Sequence, residues 1–306
     1  MRNKEKILVF CHDAGGAEII SSYIKHNLDK YDFICLPIGP AKAVFAKKKL
    51  NYLIPKQKNP YKYLALKDLK MVLLGTSWIN FEWLKLIEKA KKMGIKAVVY
   101  LDHWMNYRGR FKANYSEKNF PSEFWTGDKH AFYLAKKVFP DRMVKLEPNC
   151  YFKDIKKEFK NKKGAYKGRA NKVLFLSDPT SVFWKRAKIR FNEMDLLGKI
   201  LKCLSDKNKE REVIIRFHPS DDRTKYKEIL KKYSGRVKII KSSNKDILDD
   251  IVKAGIVIGL ESMSQVISYL CGKKTISCSF NPKRKCTLPF PGIIKIENLD
   301  KLNKYL

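Results

Sequence analysis

Five clusters of polar residues follow runs of apolar ones, where a chain of parallel strands presents side chains to a ligand. The first is His12-Asp13-Ala14-Gly15-Gly16. An imidazole beside a carboxylate can be a general base with its orienting partner, or Asp13 can itself be the base. The alternative makes Asp13 a helix cap and His12 a turn residue. Gly15 and Gly16 would let backbone amides approach a ligand, and the helix start behind them favours an anion. The spacing is not G-x-G-x-x-G, so it carries no dinucleotide fingerprint. Asp102-His103-Trp104 is the second cluster, able to hydrogen-bond a sugar or acceptor hydroxyl, or equally to be a structural pair.

The other three clusters lie in the second half. Ser177-Asp178-Pro179-Thr180-Ser181 offers the hydroxyls of Ser177 and Thr180 to phosphate oxygens, or is a plain Asp-Pro turn. In Arg216-Phe217-His218-Pro219-Ser220-Asp221, Arg216 and His218 alternate onto one side of a strand end. Both would then address one phosphate, with Pro219 fixing the turn. In Gly259-Leu260-Glu261-Ser262-Met263-Ser264-Gln265, Ser262 and Ser264 would cap a helix whose free amides hold a phosphate. Glu261 would accept sugar hydroxyls, with Gln265 in the same donor-facing stretch; a serine cap without a ligand is the alternative.

The elements that must position these clusters alternate in type. Lys6 to Cys11, Phe33 to Ile38, Met71 to Leu74 and Ala97 to Leu101 are short apolar runs. Helix-period stretches separate them, such as Ala17 to Ile24, Ala41 to Lys49 and Phe81 to Met93. Continuous apolar strands of this kind belong to a parallel sheet buried on both faces. The pattern lapses after Pro148-Asn149 and restarts with Lys172 to Leu176. Strands are then expected at 212–217, 237–240, 256–259 and 274–277, with helices near 191–204, 225–233, 247–252, 265–270 and 299–306. The expected organisation is an α/β fold of two Rossmann-like domains facing across a crevice. Residues 1–155 form the first, 156–171 a basic linker and 172–306 the second.

The 306 residues include 65 Lys and Arg against 31 Asp and Glu, a formal charge of +34, with 44% hydrophobic residues. That apolar share supports a folded core, so the charge does not mark a disordered tail. Such a balance invites nucleic acid, but the lysines are spread over polar helix faces, and no RNA-module or zinc-finger signature accompanies them. Nucleic acid is therefore not the expected partner; an anionic substrate or membrane surface is. The density peaks between Lys153 and Lys172. The seven scattered cysteines form no C-x-x-C, which fits a reducing cytoplasm. No stretch reads as a signal or membrane-spanning segment.

The Arg216-Phe217-His218-Pro219 segment resembles the His-Pro motif of bacterial sialyl- and Kdo-transferases. Ala254 to Gln265, followed by Leu270 to Ile276, is similar to the segment shared by many GT-B glycosyltransferases and the UDP-N-acetylglucosamine 2-epimerases. Glu123 to Ala131, with Phe139-Pro140 and Pro148-Asn149, looks like the last strand of the family's first domain and the passage to its linker. The resemblance implies a GT-B glycosyltransferase of surface-polysaccharide assembly with no cofactor or metal, its nucleotide-sugar donor, CMP- or UDP-linked, being a substrate. His218 would contact the donor phosphate, and Ser262 and Ser264 the nucleotide phosphate. His12 or Asp13 would deprotonate a glycan or lipid-linked acceptor, and the basic surface near the linker would attract anionic lipid headgroups in a peripheral membrane contact. The epimerases' Ser-Gly-Gly is replaced here by Glu261-Ser262-Met263. A nucleotide-sugar epimerase or hydrolase and a non-catalytic polyanion binder are the alternatives.

Overall fold

The computed structural model describes residues 4–49, 59–111, 115–178, 192–206, 211–219, 221–278 and 286–306. The chain divides into two compact units, Met1–Asp154 and Ile155–Leu306.

The first unit holds strands β1 (Glu5–Cys11), β2 (Tyr31–Pro37), β3 (Leu69–Gly75), β4 (Lys96–Leu101), β5 (Glu123–Thr126) and β6 (Val144–Leu146). They form one sheet in the order β2-β1-β3-β4-β5-β6, every pairing parallel. Ile7 to Cys11 are all buried, as are Met71 to Leu74 and Ala97 to Leu101. This is why these strands are legible as unbroken apolar runs: helices cover both faces. Helix α1 (Ala14–Lys25) follows β1, α2 (Ala41–Lys48) follows β2, α3 (Glu82–Lys92) follows β3 and α4 (Lys129–Val138) follows β5. Helix α3 shows the logic plainly. Trp83, Leu84, Leu86, Ile87 and Ala90 are buried on one side, the lysines lie on the other, and Gly94 at φ +70° ends the run.

The second unit holds β7 (Lys172–Leu176), β8 (Val213–Arg216), β9 (Ile239–Lys241), β10 (Ala254–Gly259), β11 (Lys274–Cys278) and β12 (Ile294–Ile296). Their order is β12-β11-β10-β7-β8-β9, again wholly parallel. The helix Glu193–Asp206 buries Leu196, Leu197, Ile200, Leu201 and Leu204.

In the sequence between β6 and β7, helix α5 (Cys150–Ala165) takes up residues 156–165 of the stretch expected above to be a linker. Its apolar stripe is narrow, Tyr151, Ile155 and Phe159 being its buried aromatic and aliphatic side chains. Lys162 pairs with Asp249 at 2.5 Å, and the Lys273 ammonium stands 5.6 Å from the Phe159 ring. The final stretch, expected as a helix, is 3-10 over Leu299–Lys304.

In each unit the strand order reverses beside the first strand, between β1 and β3 and between β7 and β10. Ligands of open parallel sheets bind at such switch points, at the carboxyl ends of the strands.

Candidate functional site

At the switch point of the first unit, β1 delivers His12 and Asp13, and β3 delivers Thr76 and Ser77. His12 Nδ1 lies 2.6 Å from Asp13 Oδ1, and the Ser77 hydroxyl donates to the same oxygen at 2.7 Å. Asp13 stands at the N-cap of α1 with extended backbone, yet its side chain makes no capping bond. An N-cap carboxylate ordinarily accepts from the first-turn amides. Here it holds His12 and Ser77 instead, and Oδ2 accepts from the Trp78 amide at 3.4 Å.

With Nδ1 turned to Asp13, the other imidazole nitrogen carries no hydrogen-bond partner among the described residues. Gly39 passes close to it, at φ +51°, and a Cβ there would lie 2.6 Å from His12 Nε2. Only a residue without a side chain fits that backbone and that space.

Asp102, at the end of β4, is bound to Arg110 at 2.7 Å, both side chains nearly buried. The Thr76 hydroxyl donates to the same carboxylate oxygen at 3.3 Å, and Arg110 Nη1 also donates to Thr76 Oγ1. Gly15 packs over this group: a Cβ on it would stand 2.9 Å from Asp102 Oδ2. Gly16 is buried against the Gly75 backbone. These two glycines therefore serve close packing of α1 onto the strand ends. His103 lines a small recess with Trp104, Asp128 and Asn149, in which Trp104 Nε1 donates to Asp128 at 2.7 Å.

At the switch point of the second unit, Ser177 and Asp178 follow β7, and Glu261 to Ser264 follow β10. The Ser177 hydroxyl is buried and donates to Asp221, with the Tyr226 hydroxyl 2.6 Å away. Lys225 bridges Glu193 at 2.7 Å and Asp221 at 2.8 Å. Burial works against a charge on Asp221, but the Lys225 ammonium, the Ser177 hydroxyl and the His218 amide outweigh it, holding the carboxyl below its ordinary range. The same Asp221 accepts from the His218 amide at 2.9 Å and so shapes the turn that carries the imidazole and the exposed Pro219. Burial first, then Lys225, holds the His218 pKa below its ordinary value against the pull of Asp221, which favours the neutral ring near neutral pH. Burial also pushes the Asp178 carboxyl up to about 7, against a hydrogen bond from the Glu261 amide.

The helix Met263–Leu270 opens beside these groups. Gln265 is fully buried: its Oε1 accepts from the Ser262 amide at 2.9 Å, and its Nε2 donates to the Ile276 carbonyl at 2.9 Å. Gln265 thus fastens the helix start to β11. Glu261 Oε1 accepts from the Thr287 hydroxyl at 2.7 Å. The Ser262 and Ser264 side chains are partly exposed at the first turn, where Ser262 and Gln265 form a capping box at the positive end of the helix.

The structure thus brings His12 and Asp13 together in one unit, and Ser177, His218, Glu261, Ser262 and Ser264 around one switch point in the other. Arg216 has different partners from those the alternation suggested. Its guanidinium binds the buried Asp250 at 2.7 Å and the carbonyls of Asn244 and Lys245. Thr180 and Pro179 lie outside the described residues. Ser77, Arg110, Glu193 and Lys225 were not singled out from sequence. Gly75-Thr76-Ser77 after β3 is a signal of the same kind as the others and could have revealed Ser77; the remaining three lie on helices or irregular chain with no local pattern.

No protein-family model matches the chain, and no curated protein matches its sequence. Solved structures do match its fold. The UDP-GlcNAc 2-epimerase of Methanocaldococcus jannaschii superposes with a TM-score of 0.66 at 14% identity, covering 98% of this chain and 91% of that one. The UDP-GlcNAc 2-epimerase of Neisseria meningitidis, solved bound to UDP-GlcNAc, gives 0.65 at 12% identity over 98% and 90%. HepE of Anabaena, solved with UDP-glucose, gives 0.55 at 13% identity over 98% and 89%. The fold is therefore the two-unit α/β architecture shared by GT-B glycosyltransferases and the 2-epimerases, as the motif resemblance implied.

Proposed function

We propose that this chain is a nucleotide-sugar enzyme and, within that class, a glycosyltransferase. It moves a sugar from a CMP- or UDP-linked donor to a hydroxyl of a glycan or glycolipid in bacterial surface-polysaccharide assembly. The observation that carries the reading is Asp13, an N-cap carboxylate that makes no capping bond and instead holds His12 at 2.6 Å. Capping would have been its ordinary use, so the geometry supports an oriented imidazole.

In the tautomer that donates from Nδ1 to Asp13, His12 accepts the acceptor hydroxyl's proton at Nε2 as that oxygen bonds to the sugar's anomeric carbon. The bond from that carbon to the donor phosphate breaks, and its electron pair leaves with the nucleotide. In the second unit, the first-turn amides of Met263–Leu270, with Ser262, Ser264 and His218, stabilise the growing phosphate charge. Support for a uridine nucleotide comes from the likeness to structures solved with UDP-GlcNAc and UDP-glucose.

The higher TM-scores of the epimerases favour a second reading, a nucleotide-sugar 2-epimerase or hydrolase. Glu261-Ser262-Met263 in place of Ser-Gly-Gly weighs against it. Two measurements test the proposal. A thermal-shift panel of UDP, CMP, GDP and CDP should show UDP or CMP raising the unfolding midpoint, because a ligand of the folded state stabilises it by mass action. Incubation with nucleotide sugar alone should leave the sugar unchanged; an epimerised product, or hydrolysis that no acceptor accelerates, would overturn the transferase reading.

A further inference from the structure

Among the described residues Trp78 is 45% exposed and Ile79 77% exposed, whereas Trp83, Trp104 and Trp125 are buried. The pair occupies the tip of the turn after β3, next to Ser77, and the tip is not loose. Ser77 Oγ accepts from the Ile79 amide at 3.3 Å and the Asn80 amide at 3.2 Å, and Asp13 Oδ2 accepts from the Trp78 amide at 3.4 Å. The Arg110 guanidinium stands 5.3 Å from the indole ring. The fold therefore spends hydrogen bonds on holding two large apolar side chains toward solvent, beside the His12–Asp13 pair.

We infer that this tip is the part of the first unit that enters a membrane surface rich in anionic lipid. Indole favours the headgroup level, apolar at one end and wet at the other. No helix among the described residues is long and apolar enough to cross a membrane, so this contact is peripheral, and stable peripheral attachment takes two signals. The tip is one, and the +34 charge attracted to anionic headgroups is the other. A sugar ring stacked on the indole would leave Ile79, the more exposed of the two, without a role; lipid uses both. The value of the contact rests on the base assigned above, since it would bring a lipid-borne hydroxyl to His12. The contact itself does not need that assignment.

The test is co-sedimentation of the full chain with vesicles of equal parts phosphatidylcholine and phosphatidylglycerol, with no sugar present, alongside tryptophan emission. Wild type should pellet with the vesicles and its emission should shift to the blue. Ile79→Ser should weaken partitioning severalfold and Trp78→Ser with Ile79→Ser by roughly tenfold or more, the unfolding midpoint staying in place as the control for folding. Wild type remaining in the supernatant, or a double variant that pellets equally well, overturns the inference. So does an emission change produced by a soluble oligosaccharide but not by vesicles, which would make the tip a sugar platform. None of these outcomes depends on turnover, so a failure here is separable from a failure of the transferase reading.

Discussion

Replacing Lys225 by Met should destabilise the second unit more than most single changes. Its ammonium contacts Glu193 at 2.7 Å and Asp221 at 2.8 Å, and donates to Ser177 Oγ at 3.4 Å and the Asp178 carbonyl at 3.3 Å. The side chains of Glu193 and Asp221 are 0% and 3% exposed, so neither carboxylate can turn to water once the cation is gone. Removing one partner of such a buried pair costs about 3 to 5 kcal/mol. For a unit of this size that corresponds to roughly 6 to 20 °C in the midpoint of its thermal unfolding at neutral pH. The deficit should shrink on acidification. In wild type Asp221 is held below its ordinary pKa, so its contribution is present above the unfolded value and lost as pH falls through the folded one. In the variant the orphaned carboxylates take up protons instead. Adding Glu193→Gln should restore part of the loss, because it removes one of the uncompensated charges. A deficit under about 1 kcal/mol, or one that grows toward acid pH, would refute the argument that Lys225 neutralises the cluster.

Gly39→Ala combines a positive φ with a Cβ 2.6 Å from His12 Nε2. It should cost about 1 to 2 kcal/mol in chemical denaturation and, by displacing the ring, lower transfer at least about tenfold. Gly15→Ala meets the Asp102 carboxylate at 2.9 Å, which Arg110 and Thr76 hold in place; circular-dichroism melts should show a loss of about 1 to 2 kcal/mol. Asp178→Asn should do the opposite at high pH. The Asp178 carboxyl, with its pKa at about 7, keeps a proton in the folded state that the unfolded chain releases near 3.8, so wild-type stability falls as pH rises between those values. The variant should lack that slope and exceed wild type by about 2 to 4 kcal/mol above pH 7, measured by unfolding on both sides of the window.

What the sequence disclosed follows from burial. Strands covered on both faces, such as Ile7 to Cys11 and Ile256 to Gly259, leave unbroken apolar runs, and the polar residues after them mark the strand ends. Strand β6 has one buried residue of three and β12 likewise one, too little pattern to announce a strand. Helix α5 was obscured because lysines surround a stripe as narrow as Tyr151, Ile155 and Phe159. The site was legible where consecutive residues build it, as in His12-Asp13, and illegible where partners come from distant segments. Ser77 meets Asp13 across 64 positions, and Lys225 reaches back to the buried Glu193. Arg216 is instructive in the other direction. Alternation along β8 put it on the side of His218, but a buried Asp250 is a nearer partner for a guanidinium than an open strand end, and it takes the side chain.

The central proposal for this molecule is that the His12–Asp13 pair serves sugar transfer from a nucleotide donor. The direct measurement is acceptor-dependent release of nucleotide from a UDP- or CMP-linked sugar, comparing wild type with Asp13→Asn, together with donor affinity for each. Asp13→Asn should lower the rate by roughly 10² to 10⁴ and leave donor affinity unchanged, because it takes away the carboxylate that orients the base but nothing in the second unit. Equal rates in the two proteins, or a wild type that releases no nucleotide and returns the donor as its 2-epimer, would contradict it.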